Sequence, residues 1–197
     1  MNKKEKSTIL TKQKVMLSAR ELFFKKGYTA TSISDIVKLS QVSKGNLYYH
    51  YENKESIFIS LLKQDYDMFI EAWKKEEARL INPKEKLYAL VCLTNDSNIR
   101  YIPDHVINEF LHTLSDNDNS YLQQVETLNE EIINIGKEIL VSGNKEKCWS
   151  INDENDLAYI LSSFITGLCS STKNLKQHDK DRILNKAVNV FLQGIEA

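Results

Sequence analysis

The densest run of side chains able to do chemistry lies between Ser43 and Lys54, in the order Ser43-Lys44-Gly45-Asn46-Leu47-Tyr48-Tyr49-His50, then Tyr51-Glu52-Asn53-Lys54. A helix seated in a DNA major groove needs a first turn free to meet phosphate, because exposed backbone N–H groups favour an anion there. Ser43 and the amides of Lys44 and Gly45 meet that need. Gly45 is a poor interior helix residue, costing about 1 kcal/mol against alanine. Its presence makes sense where a side chain would collide with the DNA. Leu47 faces inward on this pattern, while Asn46, Tyr48, Tyr49 and His50 project outward. They offer aromatic and hydrogen-bonding groups to bases and sugar-phosphate. Lys54 opens the following helix and is placed for a phosphate. A single tyrosine would be read as a packing residue, but three within four positions behind Ser-Lys-Gly favour a nucleic-acid surface.

One other cluster invites a chemical reading. His105, Glu109 and His112 are spaced i, i+4, i+7 and share a helix face, as a set of metal ligands would. Three ligands on a single helix make an awkward site, so neither a metal nor a cofactor is expected. The chain has no glycine-rich phosphate loop, no GxSxG, no HExxH and no zinc-type Cys/His spacing. An enzyme is not expected.

The elements that must position the Ser43–Lys54 run follow from local patterns. Val15, Leu17, Ala19, Leu22 and Phe23 fall within one broad helical face between about Ile9 and Lys26. Lys25-Lys26-Gly27 is a helix ending, with cations on the negative end of the dipole and then a residue free to turn. Thr31 or Ser32 caps a short second helix with Asp35 in its first turn, and Ser40-Gln41-Val42 makes a tight turn. The third helix runs from Ser43 to about His50. Two short helices joined by about four residues have the spacing of a helix-turn-helix. A long amphipathic helix follows from Asn53 to about Leu80, and Pro83 opens the next. Further helices are expected over about 83–96, 103–115, 119–141, 153–173 and 179–195. The expectation is an all-α protein of about nine helices. A three-helix DNA-binding domain spans 1–54, and a ligand-binding and dimerisation domain spans 55–197.

Charge supports that division. Residues 1–54 carry eleven Lys/Arg against four Asp/Glu, and the remainder fifteen against twenty-three, within a formal net charge of −1. A basic head on an acidic body suggests that the head meets a polyanion. The three cysteines are far apart and suit a reducing compartment. No apolar run follows the lysine-rich start, and none approaches the roughly 20 residues of a membrane span. A soluble cytoplasmic protein without membrane contact is expected.

Ala19-Arg20-Glu21-Leu22-Phe23, Gly27-Tyr28, Thr31-Ser32-Ile33-Ser34-Asp35-Ile36, Ser43-Lys44-Gly45 through His50-Tyr51 and Lys54-Glu55 together resemble the TetR family of bacterial repressors. The resemblance implies that Thr31, the stretch from Val42 to His50 and Lys54 contact DNA, and that a homodimer reads a palindromic operator. Tyr51 stands where many members have Phe. It also implies dimerisation through the last two helices, here by Leu157, Ile160, Leu161, Phe164 and Leu168 with Leu184, Val188 and Phe191. Val37-Lys38-Leu39-Ser40, Trp73-Lys74-Lys75-Glu76, Trp149-Ser150-Ile151-Asn152-Asp153 and Phe191-Leu192-Gln193-Gly194 are similar to multidrug-binding members that control quaternary-ammonium efflux. Those members hold lipophilic cations among aromatics and carboxylates. Asp65 stands where one pocket acid would be, while Tyr66, Asn98 and Asn129 replace others. Phe69 and Tyr101 stand for pocket aromatics. Arg100, Leu111 and Ile132 replace tyrosines, and Thr166 replaces an asparagine. So thinned a pocket leaves a cationic, a neutral or an anionic lipophilic ligand open. An activator in place of a repressor, or a binder that has lost DNA recognition, also stays open.

Overall fold

A computed structural model describes residues 2–96, 102–114 and 119–195, with Lys3, Lys4 and Asn119 described by their backbone alone. The described residues form nine helices and no strand: α1 (Lys3–Lys26), α2 (Ile33–Ser40), α3 (Lys44–His50), α4 (Lys54–Glu77), α5 (Pro83–Thr94), α6 (Asp104–Thr113), α7 (Asn119–Lys145), α8 (Glu154–Thr172) and α9 (Gln177–Ile195).

Local signals place most boundaries. Ser32 caps α2 by accepting from the Asp35 amide, and Asp35 in turn accepts from Ser32 N–H. Asn82 caps α5 by accepting from Lys84 N–H, with Pro83 at its first position. The two largest departures from the expected boundaries have physical reasons. α1 begins at Lys3, not near Ile9, because the Glu5 carboxylate accepts from Asn2 N–H and secures the extra turns. α7 runs through Ser142-Gly143 to Lys145 because the Trp149 ring lies directly over Gly143 and its Nε1–H donates to the Leu140 carbonyl at 2.8 Å.

Two compact units result. Residues 1–65 and 101–126 make one, and residues 66–100 and 127–197 the other. The division does not fall between Lys54 and Glu55. α4 stays with the first unit as far as Asp65, because Ile57, Phe58 and Leu61 are fully buried there. α6 returns to the same unit through Val106 and Phe110, both fully buried.

The first unit is built on four rings from distant parts of the chain. Phe58 packs edge-on to Phe23 at 5.2 Å and to Tyr28 at 4.9 Å, and lies 4.6 Å from Phe110. Tyr28 also meets Phe110 at 5.1 Å. Such pairs add about 0.5–1.5 kcal/mol each beyond the apolar area they remove from water. Val15 and Ala19 of α1, Ile36 of α2 and Leu47 of α3 complete the core. Polar ties close its rim. Tyr121 Oη donates to Asn53 Oδ1 at 3.1 Å, and Lys63 Nζ to Gln124 Oε1 at 3.0 Å.

The second unit packs Phe69 and Trp73 with Leu87, Leu90 and Val91 of α5, Ile135, Ile139 and Leu140 of α7, and the inner faces of α8 and α9. Tyr88 Oη donates to Asn189 Oδ1 at 2.6 Å, and Lys180 Nζ to the Asn95 carbonyl at 2.6 Å, so α9 is pinned to α5 at two points.

Candidate nucleic-acid interface

α3 carries the candidate surface, and one residue fixes which way it faces. Leu47 is fully buried against α1 and α2, which turns Lys44, Gly45, Asn46, Tyr48 and Tyr49 outward. Ser43 caps the helix, its hydroxyl accepting from Asn46 N–H at 3.3 Å. The turn between α2 and α3 passes through Gln41 at φ +55°, a left-handed conformation that asparagine and glycine adopt more readily. Ser40 Oγ accepts from the Val42 amide and so keeps the turn closed. Sequence spacing located this turn correctly at Ser40-Gln41-Val42.

The outward side chains do little for the chain itself. Tyr49 is 75% exposed and Tyr48 45%, unusual for phenols in a folded unit. Tyr49 lies edge-on to the His50 ring at 4.9 Å, and the Lys44 ammonium sits 5.9 Å from the Tyr48 centroid. Gly45 is more telling still: a methyl group there would touch nothing within 4 Å. No packing among the described residues requires glycine at that position.

Three of the expected contact residues lie elsewhere. Thr31 is buried, its hydroxyl donating to the Gly27 carbonyl at 2.8 Å. Val42 is also buried. Both shape the unit from within and present no side chain on the α3 face. Lys54 Nζ donates to the carbonyls of Tyr28 and Thr31 at 3.0 and 2.9 Å and lies 4.0 Å from the Tyr28 ring centroid. Two of its three protons are thus committed inside the unit, and burial holds its pKa below the ordinary lysine value. The Tyr28 phenol donates to Glu55 Oε1 at 2.7 Å, and burial first, then that carboxylate, push its pKa upward.

The described residues expected to line a ligand pocket have differing surroundings. Asp65, the retained acid, is buried with Oδ1 2.5 Å from Arg20 Nη2 and Oδ2 accepting from Ile102 N–H at 3.2 Å. Its charge is answered by Arg20, so it is not a free carboxylate awaiting a cation. Phe69 belongs to the core of the second unit, with Ile132 packed against that core. Tyr66 faces Glu131, and burial followed by that carboxylate raises its pKa. Asn129 and Thr166 are exposed on α7 and α8. Asn98 and Tyr101, with Arg100, lie outside the described residues. A shallow groove of about 460 Å³ on α7, bounded by Asn134, Lys137, Glu138, Val141, Ser142 and Lys145, includes none of the expected residues. His105 and His112 are exposed, and among the described residues no three His, Cys, Asp or Glu side chains converge on a metal site. Among those residues no helix is long and apolar enough to cross a membrane.

The expected dimer face needs a partial correction. Leu161, Leu184 and Val188 are buried in the chain's own core, since they point back toward α5 and α7. Ile160 is 56% exposed, and Leu157, Phe164, Leu168 and Phe191 are half-buried. Phe164 and Phe191 stack at 6.0 Å. Tyr159 and Val190, which the sequence pattern did not single out, are exposed on the same two helices. Two helical glycines there, Gly167 within α8 and Gly194 at the end of α9, resemble Gly45 in having open space where a methyl would go.

Two family models match the chain. The model of bacterial regulatory proteins of the tetR family matches residues 16–61, and that of the C-terminal region of QacR-like proteins matches residues 64–197. The chain is 34% identical over 184 residues to the HTH-type transcriptional regulator QacR of Staphylococcus aureus, covering 93% of this chain and 97% of that one. It is 30% identical over 124 residues to the biofilm operon regulator IcaR of Staphylococcus epidermidis, covering 62% of this chain and 67% of the relative. A TetR-family regulator from Cytophaga hutchinsonii superposes with a TM-score of 0.77 at 17% identity, covering 97% of both chains. FadR of Bacillus subtilis, solved with stearoyl-CoA, superposes with a TM-score of 0.76 at 22% identity, covering 93% of this chain and 99% of that one. At those identities the superpositions establish the fold.

Proposed function

The chain belongs to the TetR family of bacterial regulatory proteins, and from that membership we propose that it is a transcriptional repressor, a homodimer on a palindromic operator, released by a small lipophilic ligand. One observation carries the DNA reading. The α3 face exposes two tyrosines, whose ring contacts are with their own helix, and carries a glycine that no packing among the described residues requires. A duplex would use all three, stacking on or bonding to the phenols and approaching the helix closely at Gly45.

Leu157, Ile160, Phe164 and Leu168 of α8 with Val190 and Phe191 of α9 form the apolar surface for a second copy. A two-fold axis would then set two α3 helices about one turn of DNA apart, roughly 34–36 Å. Release occurs if the ligand binds better to the conformation with the wrong spacing. α4, which is continuous from Lys54 to Glu77, is the element to carry that change.

The ligand reading turns on Asp65. With Arg20 already against it, a lipophilic cation gains little from this carboxylate, which favours a neutral or anionic lipophile. The sequence resemblance to regulators of quaternary-ammonium efflux, with 34% identity to QacR over 93% of the chain, favours control of an efflux gene.

The test begins with duplexes that the wild-type chain selects from a randomised pool, followed by anisotropy titrations across salt. Lys44→Ala with Tyr49→Ala is expected to weaken binding at least a hundredfold without lowering Tm. Specific binding that survives the pair sinks the assignment of α3. Adding a long-chain fatty acid, a long-chain alcohol and a lipophilic quaternary ammonium to the complex then sorts the ligand classes, the first two being expected to release DNA.

A further inference from the structure

The turn from Gly27 to Thr31 connects α1 to α2, and two other helices hold it from opposite sides. On the carbonyl side, α4 supplies Lys54, bonded to the Tyr28 and Thr31 oxygens. On the amide side, α6 supplies Glu109, whose Oε2 accepts from Thr29 N–H at 3.0 Å across eighty residues of sequence. The same carboxylate lies against Gly27: a methyl there would sit 2.6 Å from both of its oxygens. Gly27 has φ +81°, so the position favours glycine for its backbone as well as for this contact. Next along α6, Phe110 meets the Tyr28 ring. Adjacent α6 residues therefore grip the backbone and the side chain of one turn, and the Lys54 and Glu109 charges attract each other across it.

Beyond the turn the chain enters the recognition unit. Thr31 leads into Ser32, the cap of α2, and α2 leads into α3. A displaced turn would rotate α2 and α3 against α1. We propose that Glu109 is a positioning residue for DNA binding: its carboxylate sets the α1–α2 turn, and through it the aim of the recognition helix, without touching the duplex. This rests on the reading of the α3 face as the DNA surface.

The probe is the duplex that the full-length wild-type chain selects from a randomised pool. Glu109→Ala is expected to weaken its binding roughly tenfold or more, the scale of one hydrogen bond to a charged group. Glu109→Gln keeps an oxygen at the same reach and should stay within about threefold of wild type. Glu109→Asp keeps the charge but is one methylene too short, so it should fall with alanine; it also serves if alanine loosens α6. The slope of log affinity against log salt should be the same in every variant, because no phosphate contact is removed. The Thr29 amide proton resonance should shift in the Ala and Asp variants and hold in Gln. Wild-type affinity in both Ala and Asp variants overturns the inference, as does an equal loss in Gln with the Thr29 resonance unmoved. A wild-type chain that selects no duplex overturns the DNA reading first, and this inference with it.

Discussion

Gly143, near the end of α7, and Gly45, in the first turn of α3, are both helical residues, and each costs up to about 1 kcal/mol of helix propensity against alanine. Their surroundings are opposite. A methyl on Gly143 would overlap the Trp149 ring, whereas a methyl on Gly45 would meet nothing. At the α7 site the chain's own indole occupies the vacant volume, and burial of Trp149 with its bond to Leu140 offsets the lost propensity. At the α3 site no such offset exists among the described residues. A helical glycine with empty space around it thus points outward, to a molecule that comes close.

The largest effect is expected at Gly143. Alanine there forces the helix or the indole to move, with an expected loss of about 3 kcal/mol, the upper end of overpacking costs, seen as a lower Tm. DNA affinity of the folded protein should be unchanged; a Gly143→Ala chain as stable as wild type would remove one side of the contrast. Gly45→Ala should do the reverse, stabilising the chain by up to about 1 kcal/mol while weakening duplex binding by roughly tenfold. An alanine variant that gains stability and binds DNA as before would show the open space to be idle. The smallest effect is expected at Gly167, on α8. Alanine should strengthen that helix by a few tenths to about 1 kcal/mol and raise the dimer dissociation constant several-fold in sedimentation equilibrium. A tighter dimer would put the close approach elsewhere.

The head was legible because its signals are local. Ser32 with Asp35, Ser43 ahead of Lys44-Gly45, and Gly27 after two lysines are read within four residues of sequence, and the structure uses each as a cap or turn. Tyr48 and Tyr49 were legible for the same reason, as phenols on the face opposite Leu47. The features that stayed hidden depend on partners that no local cap or turn rule pairs. Trp149 follows soon after Gly143, but no spacing rule lays its ring on that glycine, and the i, i+4, i+7 spacing that drew Glu109 into a metal reading says nothing of Thr29. Asp65 was visible as an acid, but its neutralisation by Arg20, forty-five positions earlier, was not. Leu161, Leu184 and Val188 carry the same apolar signal whether they face their own core or a second copy, so periodicity alone could not sort them from Ile160.

The Glu109–Phe110 grip on the first turn bears on how such regulators trade parts. A recombination that exchanged residues 1–54 as a cassette would carry over the whole α3 face yet leave behind the carboxylate that holds Thr29 and the ring that abuts Tyr28. If Glu109 sets the aim of α3 as proposed, DNA specificity depends on a discontinuous unit. A graft that takes residues 102–114 together with the head should transplant operator choice where the shorter one fails.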